Sequence, residues 1–65
     1  MDKSLIAERL IKLRGNKTQN EVAEAVGVAQ STYSMYESGQ RIPSDDVKIR
    51  LAKYFKKTVQ SIFFT

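Results

Sequence analysis

The chain has 65 residues, a net charge of +4 and a pI near 9.6, and it contains neither cysteine nor histidine. That length allows one domain, 1–65. The missing residue types exclude disulfides and thiolate metal sites, and remove the commonest metal ligand and general base. The opening MDKSLIAERL carries charge too early for a secretory leader, and no apolar run approaches the ~20 residues that cross a bilayer.

The expectation is therefore a soluble, cytoplasmic protein with no cofactor and no metal. A single core of this size supplies only ~3–5 kcal/mol, so each core position matters.

Five helices are predicted, approximately over 4–14, 18–26, 29–37, 44–56 and 58–63. Ser4 is the candidate cap of the first. Ile6, Leu10 and Leu13 recur at helical spacing, Leu5 and Ile11 flank that stripe and are expected to be part-buried, and Arg14-Gly15 ends it. Thr18 followed by Glu21 forms a capping box for the second helix. Gly27 breaks that helix and the third restarts near Ala29, a cap position without a side-chain acceptor.

Gln40-Arg41-Ile42-Pro43 reads as a loop. Ser44 caps the fourth helix, with Asp45 and Asp46 in its first turn. Its inward face is Val47, Leu51, Ala52 and Phe55, and Ile49 widens the apolar arc, so this helix is expected to be central, its lysines forming a solvated face. Lys56-Lys57 ends it. Thr58 caps a short last helix carrying Val59, Ile62 and Phe63. No strand pattern survives, so the fold class is all-α, a compact five-helix domain.

The stretch TQNEVAEAVGVAQSTYSMYES carries the functional signal. Val22, Val26, Val28, Tyr33 and Tyr36 can share one core, with small Ala23 where two helices approach. This is a helix-turn-helix pattern, which offers its second helix to the DNA major groove. The outward face gathers Ser31, Ser34, Met35 and Ser38, with Gln30 at the helix start. A glutamine amide matches adenine N6 and N7, serine donates or accepts, and methionine packs on a thymine methyl. Gln30, Ser31, Ser34 and Met35 are the candidate base-reading residues.

Charge is distributed to suit that role. Residues 1–20 carry Lys3, Arg9, Lys12, Arg14 and Lys17 against Asp2 and Glu8, or +3. Residues 21–46 carry Arg41 against Glu21, Glu24, Glu37, Asp45 and Asp46, or −4. Residues 47–65 carry Lys48, Arg50, Lys53, Lys56 and Lys57, or +5. The reading helix is nearly uncharged, with basic segments on both sides. Candidate phosphate contacts are Lys17, Thr18 and Gln19 at the free N–H groups that open the second helix, and Ser38, Gln40 and Arg41 beyond the third.

The chain resembles the Xre/Cro-type family, which includes phage repressors, through IAERLIKLR, TQNEVAEAVGV, STYSMYESGQRIPS and LAKYF…SIFF. The resemblance spans Ile6 to Phe63 and implies a lambda-repressor-like fold. It implies that Gln19 holds a phosphate and braces the first reading side chain. Gln30 falls at that first reading position, and Ser31 and Met35 at the next two. Arg14 and Glu37 are similar to a pair that ties the first helix to the third; read as an exposed pair, it would contribute only ~0–1 kcal/mol. The loop Gly15-Asn16-Lys17 is about two residues shorter than the usual pattern.

The expected function is a sequence-specific regulator of phage or mobile-element type, most simply a repressor in the bacterial nucleoid or a phage-infected cell. One reading helix covers few base pairs, so a homodimer on double-stranded DNA is expected, with Ile62, Phe63 and Phe64 as its candidate contact. The alternative is a protein-interaction module, an antitoxin or adaptor on the same fold. An enzyme is not expected: no convergent acidic cluster or phosphate-binding glycine loop accompanies the serines and lysines.

Overall fold

The computed structural model describes residues 1–64, and all their regular structure is α-helical. The helices are α1 (Lys3–Arg14), α2 (Gln19–Val26), α3 (Gln30–Glu37), α4 (Asp45–Phe55) and α5 (Val59–Phe63). They close a ring in space: α1 packs on α3 and α5, α2 packs on α3 and α4, and α4 packs on α5. The apolar side chains fill the middle. Ile6, Leu10, Val22, Val26, Tyr33, Leu51 and Ile62 are each at most 1% exposed. No helix is central, contrary to the expectation for α4. Each helix packs mainly on two neighbours, and α4 packs on α2 and α5 with Ile49, Arg50 and Lys53 left exposed.

Local chemistry explains the boundaries. Asp2, not Ser4, caps α1: its Oδ1 accepts from the N–H groups of Ser4 at 2.8 Å and Leu5 at 3.3 Å. A carboxylate there satisfies two orphan donors and meets the positive helix end, so α1 starts one residue early. Thr18 and Glu21 form the reciprocal capping box of α2. Ser44 and Thr58 cap α4 and α5 through Val47 N–H and Ser61 N–H.

Gly27 turns the chain from α2 into α3 at φ 74°, ψ 34°. Its N–H donates to Glu24 O, and Val28 N–H donates to Ala23 O, which satisfies two terminal carbonyls.

The apolar residues off the main stripe are wetter than expected. Leu5 is 40% exposed, Ile11 48% and Ile49 48%. Five short helices in a ring each bury a narrow strip, so residues about 100° away fall outside it. The reverse holds for Lys48, expected on a solvated face. It is only 7% exposed. Its aliphatic stem lies in the α4–α5 contact, and its ammonium stands 5.4 Å from the Phe64 ring centre, 6.0 Å from that of Phe63 and 3.5 Å from Asp45 Oδ1.

Lys56 ends α4 in the left-handed region, at φ 58°, and is the single non-glycine with positive φ among the described residues. The geometry is held by Lys56 N–H to Lys53 O and Lys57 N–H to Ala52 O. A Cβ in this region costs ~1–2 kcal/mol, part of which glycine returns as chain entropy in the unfolded state. Lys56→Gly is therefore expected to stabilise the protein by about 1 kcal/mol, seen as a rise of about 4–8 °C in the unfolding midpoint. An unchanged or lower midpoint would mean the lysine side chain does more here than its backbone costs.

Candidate nucleic-acid interface

The sequence of α3 sorts its residues onto two sides. Tyr33 and Tyr36 are buried, at 0% and 4% exposure, with their rings edge to face at 6.1 Å between centres. Gln30 and Ser31 are exposed at the start of the helix, and Ser34 and Met35 are part-buried further along. Ala29, the cap residue, makes no side-chain hydrogen bond to the helix. The N-terminal turn of α3 thus projects polar groups outward from a firmly anchored back. A helix is about 10–12 Å across and the major groove about 12 Å wide, so the dimensions agree.

The loop after α3 is drawn back under it. The Met35 carbonyl accepts from Gln40 N–H at 3.0 Å, Arg41 N–H at 3.3 Å and the Ser38 hydroxyl at 3.2 Å. Gly39, at φ 78°, makes the reversal possible. Gln40 and Arg41 are held exposed beside the base of α3. Ser38 is exposed too, and its hydroxyl donates to the Met35 carbonyl.

The start of α2 differs from the simple picture of free N–H groups. The Thr18 hydroxyl accepts from Glu21 N–H at 3.0 Å, and Glu21 Oε1 lies 3.5 Å from both Thr18 N and Thr18 Oγ1. The capping box therefore occupies Thr18 and places a negative charge in the first turn. The N–H groups of Gln19 and Asn20 still have no helical acceptor. Lys17 is exposed, its ammonium 6.0 Å from the centre of the Tyr54 ring.

Behind these surfaces the expected Arg14–Glu37 pair forms the centre of a larger polar hub. Glu37, the last residue of α3, is 6% exposed. Arg14 grips it bidentately, Nε to Oε2 at 2.7 Å and Nη2 to Oε1 at 3.1 Å. The Gln19 amide donates to the same Oε1 at 3.0 Å, and Arg14 Nη1 donates to Lys17 O at 2.7 Å. One carboxylate thus joins α1, α2 and α3. The expectation of an exposed pair is corrected: the Glu37 side chain is 4% exposed and that of Arg14 22%.

Burial alone would raise the Glu37 carboxyl. The Arg14 guanidinium, helped by the Tyr33 hydroxyl and the Gln19 amide, outweighs it and holds the carboxyl below its ordinary range. The bond to Glu37 raises Arg14 in turn, against its own desolvation. The Tyr33 phenol is pushed far above its ordinary range, by burial first and the nearby carboxylate second. Its oxygen is the one buried side-chain polar atom among the described residues without a partner in hydrogen-bond geometry, so it acts on Glu37 as a neighbouring dipole.

The candidate dimer contact divides. Ile62 and Phe63 are 1% and 2% exposed and belong to the protein's own core, so they are not available to a partner. Phe64 is 46% exposed and borders a shallow depression with Met1 and Leu5. Arg9 Nη1 donates to Ile62 O at 3.0 Å and fastens α5 to α1 beside it. Among the described residues no group of three or more acidic side chains is placed to hold a metal, and no helix is long and apolar enough to cross a membrane.

Two short helices joined through Gly27, with the second exposed at its N-terminal turn and anchored by aromatic residues behind, define a helix-turn-helix module. The chain belongs to the helix-turn-helix family, whose pattern it matches over residues 6–62. It is similar to the cryptic phage CTXphi transcriptional repressor RstR of Vibrio cholerae serotype O1 (strain ATCC 39315 / El Tor Inaba N16961). The two are 30% identical over 59 residues, which cover 88% of this chain and 53% of the relative. The chain spans about half the length of that curated relative. No solved structure matches it.

Proposed function

We propose that this chain is a sequence-specific double-stranded DNA-binding regulator that reads the major groove with α3, and that it represses transcription. The observation that carries the reading is the two-sidedness of α3, with Gln30 and Ser31 in solvent and Tyr33 and Tyr36 sealed behind them. The family match and the similarity to a phage transcriptional repressor support it.

Gln30 and Ser31 contact base edges first, with Ser34 and Met35 further along the groove. Lys17, Gln19, Gln40 and Arg41 fix the phosphates on either side, while Thr18 and Ser38 shape the backbone that presents them. Charge attracts, and neutral groups choose. The protein acts in the compartment that holds its DNA, the bacterial cytoplasm.

The size of the domain allows pairing. The Cα framework measures 27 × 23 × 22 Å. Two copies therefore fit side by side on one face of the duplex, with their reading helices one turn, about 34 Å, apart. Phe64, Leu5 and Met1 are the exposed apolar residues for such a contact.

Selection of bound sequences from a random duplex library by the full chain tests the reading. Enrichment of a near-palindromic site with half-sites about one helical turn apart is expected, with binding that falls steeply as salt rises. Binding indifferent to duplex sequence and to salt would overturn it and favour a protein-binding adaptor on the same fold.

A further inference from the structure

The Glu37 carboxylate is too buried to touch DNA, yet it is bonded to a side chain that is part-exposed. Gln19 opens α2, is half-exposed, and gives one amide hydrogen to Glu37 Oε1 at 3.0 Å. An ionised carboxylate only accepts hydrogen bonds. The end of the Gln19 amide that faces inward must therefore be its nitrogen, and its orientation is chemically fixed. Arg14 keeps the carboxylate ionised and immobile through two bonds, and anchors itself to Lys17 O. A glutamine side chain in water would sample many rotamers and both amide orientations. This one is held by a rigid acceptor rooted in α3 and clamped from α1.

We propose that Glu37 is a positioning residue for the DNA-facing end of α2: it pre-orders the Gln19 amide, so that the second N–H of that amide is presented to a backbone phosphate. This rests on the DNA-binding reading above. The same carboxylate closes the last turn of α3, so the phosphate donor on α2 and the reading residues on α3 are held in a single register. The ordering cost of Gln19 is met during folding and is not charged against binding.

A double-mutant cycle on the full chain, with the selected duplex at one fixed salt concentration, tests the role. Gln19→Ala is expected to weaken binding about tenfold in the native background, the loss of one hydrogen bond to a charged group. In Glu37→Gln, one amide oxygen replaces two carboxylate oxygens, and the Arg14 guanidinium competes for it. There Gln19→Ala is expected to cost less than about threefold, because the amide is already released. Equal losses in both backgrounds would overturn the proposal, as would a folded Glu37→Gln protein that binds as tightly as the native one.

A second measurement needs no variant. In the native protein, the side-chain amide NMR signals of Gln19 are expected to shift as the Glu37 carboxyl titrates, while those of Gln30, Gln40 and Gln60 stay still. Arg14 from α1 and Tyr33 from α3 are the other ionisable groups at this carboxylate, and both titrate far above that range. A Gln19 amide indifferent to the carboxyl would overturn the positioning role by itself. If the native chain binds no duplex at all, the DNA reading falls and the proposal falls with it. If it binds but the cycle shows no coupling, the positioning role alone is lost.

Discussion

Replacing Arg14 with methionine is expected to lower the unfolding midpoint by about 10–20 °C at pH 7, and by much less near pH 4. The substitution keeps most of the aliphatic stem and removes the charge. It strands Glu37, whose side chain is 4% exposed, with the Gln19 amide as its remaining hydrogen-bond donor. Removing one partner of a buried ion pair costs ~3–5 kcal/mol, because the other charge stays desolvated. Arg14 itself is 22% exposed, and water can enter where it stood, so the lower end, about 3 kcal/mol, is the fitting figure. Against a total of only ~3–5 kcal/mol, this brings the domain close to unfolding at ambient temperature.

The pH dependence separates charge from packing. In the native protein the Glu37 carboxyl is held below its unfolded value of about 4.3. Its stabilisation is complete above that value and is lost as pH falls through the folded one. In Arg14→Met, burial without a cation raises the carboxyl instead. The penalty is then present above the raised value and vanishes on acidification. The gap between the two proteins should close as pH drops from 7 to 4 in thermal melts followed by circular dichroism. A constant gap would mean that Arg14 acts through its bulk.

Gln30→Ala and Arg41→Ala are expected to weaken DNA binding in different ways. Both side chains are exposed, so neither substitution should disturb folding. Loss of a bidentate base contact removes about 1–3 kcal/mol of discrimination at one base pair. Gln30→Ala should thus lower affinity for the preferred site about 10- to 100-fold, while variants at that one position converge to equal affinity. Arg41→Ala removes a phosphate contact on the proposed reading. It should weaken all sequences alike and reduce the slope of log affinity against log salt by about 1 for each copy bound. Titrations over a panel of single-base variants at several salt concentrations distinguish the two. The same sequence-blind loss from both substitutions would refute the division between reading and holding.

How much of this was legible in the sequence varies with the range of the interaction. Thr18 with Glu21, Gly27, Ser44 and Thr58 act on residues within a turn of themselves, and their identities announce it. The caps of α2, α4 and α5 therefore lie where the sequence places them. Asp2 and Ser4 compete for one helix start, and both are good caps. The ionised oxygen at Asp2 prevails by taking two N–H groups. Lys56 defeats local reading because a lysine in left-handed geometry is tolerated only when flanking bonds impose it.

Glu37 is hidden for a different reason. Its residue type points to the surface, and its partners lie 23 and 18 positions upstream, so only assembled helices reveal the burial. The outward side of α3 could be read from its two tyrosines alone, because aromatic residues three apart on one helix fix which side turns inward. That the Gln19 amide donates to Glu37, and that the Thr18 and Ser38 hydroxyls bond within their own turns, could not be read at all. Side-chain donors carry no mark of the acceptor they choose.

The burial of Tyr33 and Tyr36, set against the exposure of Gln30 and Ser31, means that the two polar residues contribute little to keeping the protein assembled. The scaffold therefore tolerates new pairs at those two surface positions, which on the proposed reading would re-aim the protein. On the proposed reading, laboratory retargeting can begin from the same two sites.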